Sequence, residues 1–218
     1  MIDAMSTSAP CRFAMLVPVK RAAHAKSRLA PLGDEARRSL ATAFVADTVV
    51  AALGSPRVGA VLVVTDDHVL ARAVAELGAH VVPDAVVDDL NESLVQAAAE
   101  AQRRWPELRP AALCADLPAL APGELDEALE VASAHPAAFV ADTAGGGTTM
   151  VAAASREDFR PCFGPGSRRA HAARGAHEIV EVDVPTLRRD VDTPADLEDA
   201  LALGVGQHTR WVVTGSRL

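Results

Sequence analysis

The 218-residue chain is short of several residue types, and each shortage narrows the classes of protein it can belong to. It has no tyrosine, and aromatic residues make up only 3% of it, so it has few rings on which nucleic-acid bases could stack. Its three cysteines, Cys11, Cys114 and Cys162, match neither a disulfide framework nor a zinc-binding spacing. We therefore expect a protein of the reducing cytoplasm.

Long apolar runs are also lacking. No segment approaches the roughly 18 consecutive apolar residues that a membrane span needs. The apolar run Phe13–Val19 is too short for a signal peptide and contains Pro18. The sequence thus predicts a soluble protein with no membrane partner.

Several signature motifs are missing. The chain has no G-x-G-x-x-G, no G-x-x-x-x-G-K-[ST] and no G-x-S-x-G, which removes the main support for a dinucleotide-binding domain, a P-loop hydrolase and an α/β-hydrolase. Its seven histidines form no H-x-H or H-E-x-x-H pattern, so a zinc enzyme has no support either.

Charge is unevenly distributed. The net charge of −8 argues against a nucleic-acid-binding protein. Residues 1–40 nevertheless carry seven basic and three acidic side chains, against 14 and 26 in residues 41–218. A basic front on an acidic body favours a small anionic ligand.

Lysine is the scarcest basic residue: the only two are Lys20 and Lys26, six positions apart. With Arg21 and Arg28 they form a basic loop directly after the first predicted strand. Compact ammonium groups at the end of a buried strand are typical of phosphate binding. A solvated basic loop is the alternative.

Short apolar runs alternate with helical patterns along the chain, which predicts a parallel sheet covered by helices on both faces. Residues 1–11 are expected to be disordered, 12–205 to form one α/β domain, and 206–218 to be a tail. The predicted strands are Phe13–Val19, Val58–Thr65, Ala79–Val82, Ala111–Ala115, Ala137–Ala141, Thr148–Ala153 and Ile179–Val184. The predicted helices are Asp34–Leu53 with Asp34 as N-cap, His68–Leu77, Leu90–Trp105, Gly123–Ser133 and Pro194–Leu203.

Two aspartates at predicted strand ends form a candidate metal pair. Asp116 follows the strand Ala111–Ala115, and Asp192 lies in the segment Asp190–Pro194. Magnesium is commonly held by one or two carboxylates together with phosphate oxygens and water. Helix-capping or turn roles remain open for both residues at this point.

A glycine-rich loop adds a candidate anion site. In Phe163–Arg169 the glycines Gly164 and Gly166 expose backbone N–H groups, and Ser167 begins a predicted helix. An ordinary glycine-proline turn is the alternative.

Taken in order, these motifs resemble one family. They are P-V-K-x5-K-S-R-L from Pro18, the Leu90-Asn91 helix start, Asp116-Leu117-Pro118, Gly147-Thr148, Phe163-Gly164-Pro165-x-Ser167 and Asp190-Val191-Asp192-Thr193-Pro194. The chain resembles the phosphoenolpyruvate or 2-phospho-L-lactate guanylyltransferases of coenzyme F-420 biosynthesis over residues 12–205. The resemblance implies a single-domain, nucleotide-diphospho-sugar-transferase-like (Rossmann-like) three-layer α/β sandwich with a mostly parallel sheet. It is also compatible with a homodimer and with contact to the next enzyme of the pathway.

The resemblance also implies a role for each matching residue. Lys26, aided by Lys20 and Arg28, would meet the GTP phosphates, and Asn91 would contact the nucleoside. Asp116 and Asp192 would hold Mg²⁺ as the catalytic pair, with Lys26 as the third catalytic residue. Thr148, Gly164 and Ser167 would bind the phosphoacid.

The acceptor is less closely defined than the transfer. An alanine- and arginine-rich composition is typical of GC-rich bacteria, whose family members resemble users of phosphoenolpyruvate. 2-Phospho-L-lactate and 3-phosphoglycerate remain alternatives. So do a sugar-phosphate or molybdopterin nucleotidyltransferase and a GTP-binding regulator without catalysis.

Overall fold

The architecture comes from a computed structural model, which describes residues 12–19, 29, 33–86 and 89–215. The basic loop that contains Lys20, Lys26 and Arg28 lies outside the described residues, as does the segment 1–11. Predictions made for those residues therefore stay predictions.

Seven strands form a single sheet in the described part of the chain. Numbered along the chain, they are β1 (Phe13–Pro18), β2 (Val58–Val64), β3 (His80–Val82), β4 (Arg109–Leu113), β5 (Ala137–Ala141), β6 (Thr148–Ala153) and β7 (His177–Glu178). Their order across the sheet is β3-β2-β1-β4-β6-β5-β7. All neighbouring pairs are parallel except the two made by β6. The predicted mostly parallel sheet is confirmed.

Eight helices accompany the sheet within the described residues. They are α1 (Asp34–Leu53), α2 (His68–Glu76), α3 (Leu90–Arg104), α4 (Pro122–Ser133), α5 (Ser167–Ala173), α6 (Pro185–Arg188), α7 (Pro194–Leu203) and α8 (Gln207–Gly215). None of those in the described ranges is long and apolar enough to cross a membrane.

Alternation along β1 shows why the sheet is covered on both faces. Met15 and Val17 belong to one buried cluster together with Val49 of α1. Leu16, on the opposite face, belongs to a second buried cluster with Leu94 of α3. Because successive strand side chains point to opposite faces, both faces of the strand need an apolar cover. The result is the predicted three-layer sandwich.

The start of α1 differs from the prediction by one residue. Asp34 is the first helical residue, and Gly33 is the N-cap, with no side-chain hydrogen bond. Gly33 has a φ of 89°, a conformation that other residues rarely adopt, and its carbonyl accepts the first bond from the Arg37 amide. Backbone geometry therefore takes the place of the predicted aspartate cap.

The predicted strand Ile179–Val184 is wrong. The seventh strand is the two-residue β7, which ends at Glu178 and pairs with β5. Beyond it, the Arg188 guanidinium donates to the Ile179 carbonyl (2.7 Å), and the Glu181 carboxylate accepts from the Val180 amide (2.9 Å). Side chains thus form hydrogen bonds with backbone groups that would pair with a neighbouring strand if this segment were a strand. Strand β4 also ends earlier than predicted, so Cys114 follows the strand instead of lying within it.

The segment 206–218, expected to be a tail, contains helix α8, which packs on α1. Its N-terminus is capped from far away in the sequence. The buried Asp47 carboxylate on α1 accepts from the amides of His208 (3.0 Å) and Thr209 (2.8 Å). Val212 and Val213 pack against a third apolar cluster that includes Phe44 of α1. Residues 207–215 are therefore integrated with the domain, and the boundary at 205 leaves out a packed helix.

Candidate functional site

Strand direction brings the candidate residues to one edge of the sheet. Asp116 follows the carboxyl end of β4, where ligands of open α/β sheets bind. Since β6 runs antiparallel to β4, its first residue, Thr148, lies at that same edge. The amide of Cys114 donates to the Thr149 carbonyl (2.8 Å) and joins the two segments there. The predicted metal-binding and phosphoacid-binding segments are therefore neighbours.

A cluster of aspartates occupies this edge. The Val191 amide donates to the Asp116 carbonyl (3.1 Å), so the segment Asp190–Asp192 lies against the end of β4. Burial raises the pKa of Asp190 to about 7, and the nearby charges of Asp116, Asp192 and Asp142 add to this shift. We call these four residues, Asp116, Asp142, Asp190 and Asp192, the acidic cluster.

The capping alternatives for the two predicted metal ligands are excluded. Helix α7 is capped by Thr193, whose hydroxyl accepts from the Asp196 amide in a reciprocal capping box, so Asp192 does not cap it. Helix α4 has Ala121 at its N-cap position, so Asp116 does not cap that helix. Both aspartates are half-buried at the sheet edge.

The acidic cluster fits a magnesium ion better than a fully protein-bound metal. In the described part of the chain, no three His, Cys, Asp or Glu side chains are grouped closely enough to hold a metal by themselves. Mg²⁺ does not need such a cage, because it is usually held by one or two carboxylates plus water and substrate phosphates. The like charges around the desolvated Asp190 are the setting in which a bound cation is stabilising. The residues present thus fit the predicted ion.

His171, which the sequence analysis did not indicate, connects the two predicted parts of the phosphoacid site. Its Nε2 accepts from the Cys162 amide (2.9 Å), so its proton sits on Nδ1, 3.0 Å from the Thr148 hydroxyl oxygen. The ring packs against Phe139 and Phe163. Burial lowers the pKa of His171 to about 4, which keeps it neutral at physiological pH. A neutral imidazole therefore holds Thr148 next to the loop that contains Gly164.

This burial predicts acid-sensitive stability. The pKa of His171 is 6.5 in the unfolded chain and about 4 in the folded protein. Between these two pH values the unfolded chain therefore binds more protons than the folded protein. The free energy of unfolding should fall by about 2–3 kcal/mol as pH drops from 6.5 to 4. Urea unfolding across that range should show a shallower pH dependence for His171→Gln than for the wild type. Equal slopes would contradict the assigned burial.

Asn91 contacts the glycine loop through both ends of its amide. Its Nδ2 donates to the Phe163 carbonyl (3.0 Å), and its Oδ1 accepts from the Phe163 amide (2.7 Å). Helix α3 presents Asn91 at its first turn because Asp89 caps the helix through the amides of Asn91 and Glu92. Asn91, predicted to contact the nucleoside, thus fixes the backbone of Phe163.

The other predicted loop residues have backbone positions suited to a close ligand. Gly164 has a φ of 131°, and nothing lies within 4 Å of where its side chain would be. Ser167 begins α5 and is buried. Nearby, the Asp142 carboxylate accepts from the amides of Gly146 and Gly147 (both 2.9 Å), and a Cβ on Gly147 would collide with it. That carboxylate holds the turn that leads into Thr148.

A largely apolar cavity of about 250 Å³ lies beside the acidic cluster. Asp116, a candidate metal ligand, and Phe163, whose backbone is bonded to Asn91, both line this cavity. Val19, the last described residue before the basic loop, lines it as well. Apolar walls with a few polar groups are typical of a small-molecule site. The end of β1 therefore reaches this cavity through Val19.

Comparison with known proteins agrees with this geometry. The profile of the family described as "Guanylyl transferase CofC like" matches residues 13–214. The chain is 47% identical over 204 residues to a phosphoenolpyruvate guanylyltransferase of Thermomonospora curvata, covering 94% of this chain and 90% of that one. It is 49% identical over 199 residues to the enzyme of that name from Streptomyces avermitilis, covering 91% and 92%. The chain belongs to the CofC-like guanylyl transferase family. It is therefore a nucleotidyltransferase.

A solved structure supports the fold of this guanylyl transferase. A protein from Desulfovibrio desulfuricans G20, described as a nucleotide-diphospho-sugar transferase, superimposes with a TM-score of 0.61. The match covers 89% of this chain and 97% of that protein at 17% identity. The predicted nucleotide-diphospho-sugar-transferase-like fold is confirmed.

The candidate site contains residues that the sequence analysis did not select. Asp190 had a signal, since it stands two positions before Asp192 in the same acidic motif. Asp142 had a weaker one, at the end of a predicted strand. His171 had none, because its neighbours Thr148 and Cys162 are brought to it only by the folded chain.

Proposed function

We propose that the protein transfers GMP from GTP to phosphoenolpyruvate, giving enolpyruvoyl-diphospho-guanosine and pyrophosphate, in coenzyme F-420 biosynthesis. The observation that carries the choice of acceptor is the 47–49% identity, over nine-tenths of both chains, to enzymes named phosphoenolpyruvate guanylyltransferase. The acidic cluster beside Thr148 supports the same type of transfer. We further propose that the reaction takes place in the cytoplasm.

The reaction is a displacement at the α-phosphorus of GTP. An oxygen of the acceptor phosphate forms a new bond to that phosphorus, and the bond to the β-phosphate bridge breaks. Pyrophosphate leaves with the electron pair. The acceptor phosphate is already anionic at neutral pH, so no side chain has to remove a proton. Catalysis is then mainly positioning and charge stabilisation.

Each part of the site has a role in this proposal. Asp116 and Asp192 would hold Mg²⁺, which acts as a Lewis acid on the phosphate oxygens when bound. The basic loop, with Lys26 first and Lys20 and Arg28 beside it, would bind the triphosphate. Asn91 would contact the nucleoside, and it also holds the backbone of Phe163, a residue that lines the cavity.

The acceptor would be held between the start of β6 and the loop Phe163–Arg169. Thr148, Gly164 and Ser167 would bind phosphoenolpyruvate through hydroxyl and backbone N–H groups. His171 would keep Thr148 and the loop in register by its bonds to Thr148 and Cys162.

Pyrophosphate release should depend on the acceptor. With GTP and Mg²⁺, we expect rapid release with phosphoenolpyruvate and at least about 10-fold slower release with 2-phospho-L-lactate or 3-phosphoglycerate, since pockets separate such close analogues by about 1–3 kcal/mol. A coupled phosphate assay after pyrophosphatase treatment measures this directly. A reaction without acceptor serves as the blank.

Three results would contradict the proposal. A clear preference for 2-phospho-L-lactate or 3-phosphoglycerate would replace phosphoenolpyruvate as the acceptor. Release with a sugar phosphate or molybdopterin, and none with any three-carbon phosphoacid, would assign the transfer to another branch of the fold. GTP binding by calorimetry without turnover of any acceptor would indicate a regulator.

A further inference from the structure

The hydroxyl of Thr48 bonds to the backbone on both sides of Asp116. Thr48 lies on α1 and is fully buried. Its Oγ1 donates to the Ala115 carbonyl (3.3 Å) and accepts from the Leu117 amide (3.1 Å). A hydroxyl is suited to this, since it donates and accepts at once.

These two bonds fix the direction in which Asp116 points. The Ala115 carbonyl and the Leu117 amide belong to the two peptide planes that flank the Asp116 Cα. Holding both planes restrains φ and ψ of Asp116, and with them the direction of the Cα–Cβ bond that carries its carboxylate. The Asp116 carbonyl is held in turn by the Val191 amide (3.1 Å), which joins it to the segment that carries Asp192.

The use of this hydroxyl is unusual for a helical threonine. Thr42, on the same helix, donates to the Arg38 carbonyl four residues earlier (3.2 Å), as helical threonines commonly do. Thr48 directs its hydroxyl to another element of the fold. Helix α1 thus contributes a polar contact, as well as apolar packing, to the edge of the sheet.

We propose that Thr48 is a positioning residue that aims the Asp116 carboxylate at the divalent cation. The inference rests on the proposed function, in which Asp116 and Asp192 hold that cation. Outer contacts that orient metal ligands commonly change metal affinity by about 10- to 100-fold when removed. Thr48 therefore acts on the cation through the backbone of Asp116.

Mn²⁺ binding to the full chain, measured by electron paramagnetic resonance without substrates, tests this. Thr48→Val keeps the side-chain volume but lacks the hydroxyl, and should weaken Mn²⁺ binding at least about 10-fold. Thr48→Ser keeps the hydroxyl and should bind within about threefold of the wild type. Thr48→Cys, a milder change with weaker hydrogen bonding, should fall between them and serves if the valine variant does not fold.

Ser55→Ala is the matched control. Ser55 is a buried hydroxyl just after α1 that donates to Asp126 (3.1 Å), at the opposite edge of the sheet. It should lose thermal stability comparable to Thr48→Val while keeping wild-type Mn²⁺ affinity. Unchanged Mn²⁺ affinity in Thr48→Val and Thr48→Cys, or a serine variant as weak as valine, would overturn the inference.

Failure of the proposed function has a different signature. Wild-type protein that binds Mn²⁺ with the expected ranking of variants, but releases no pyrophosphate with any acceptor, would overturn the function and support the role of Thr48. Wild-type protein that binds no Mn²⁺ would overturn the inference about Thr48, and the pyrophosphate assay would then decide the function separately.

Discussion

Asp116→Ala is expected to lower kcat for guanylyl transfer by about 1,000-fold, or about 4 kcal/mol of transition-state stabilisation. The reason is the position of Asp116 after the carboxyl end of β4, where it lines the apolar cavity and belongs to the acidic cluster. Loss of its carboxylate removes half of the proposed magnesium pair. Steady-state pyrophosphate release at saturating GTP and acceptor measures the effect.

The fold should survive this substitution. Removing one negative charge from a cluster in which burial and like charges raise the pKa of Asp190 relieves repulsion, so the melting temperature should stay equal or rise. Asp158→Asn is the matched control, because Asp158 is exposed in the turn after β6, at the far edge of the sheet. Near-normal turnover by Asp116→Ala, or an equal loss in the control, would contradict the assignment of the site.

Lys26→Ala is expected to lower kcat/KM for GTP by about 100- to 1,000-fold, the size of loss seen when an enzyme loses one group that stabilises charge developing in the transition state. Lys26 is one of only two lysines in the sequence, and it follows seven positions after Val19, which lines the cavity. Lys26→Arg should recover part of the activity, since a guanidinium keeps the charge but not the compact shape. Initial rates at varied GTP concentration give the value.

Lys20 is the natural comparison for Lys26. It is the only other lysine in the sequence and should show a smaller loss when changed to alanine. Equal losses would make the loop a general basic surface, and a larger loss for Lys20 would reverse the assignment. Melting temperatures of the three variants should match that of the wild type.

Local sequence predicts much of the sheet because its strands carry their own signal. β1 and β2 are apolar runs buried on both faces. β6 follows a glycine turn that is held by Asp142, whose carboxylate bonds to the amide of Gly147 five positions later. Such features depend on neighbours in sequence. Their positions were predicted within one or two residues.

Apart from the helix cap at Gly33, the main failures have a different cause, which is contact between residues distant in the sequence. Helix α8 has no cap of its own and relies on Asp47, more than 150 positions earlier. After β7, the Ile179 carbonyl accepts a hydrogen bond from the Arg188 guanidinium. His171 contacts Thr148 only in the folded chain. Thr48 likewise looks like an ordinary helical threonine until Ala115 and Leu117 are beside it.

The candidate site was predictable in its chemistry more than in its geometry. The sequence selects Asp116 and Asp192 as carboxylates at predicted strand ends, and Thr148 through the family motif. The structure brings their segments to one edge of the sheet. The motif also selected Asn91, but its partner Phe163 is 72 positions away, so its bond to the loop was not visible. The role of Lys26 remains a prediction that only the variants test.

The central claim is that an oxygen of the phosphoenolpyruvate phosphate attacks the α-phosphorus of GTP. Phosphoenolpyruvate labelled with ¹⁸O in its non-bridging phosphate oxygens, incubated with GTP, Mg²⁺ and the protein, tests it by mass spectrometry. The account predicts that enolpyruvoyl-diphospho-guanosine keeps all of the label and that an equal amount of unlabelled pyrophosphate forms. Labelled pyrophosphate, or GTP consumption without a product that joins the two substrates, would contradict it.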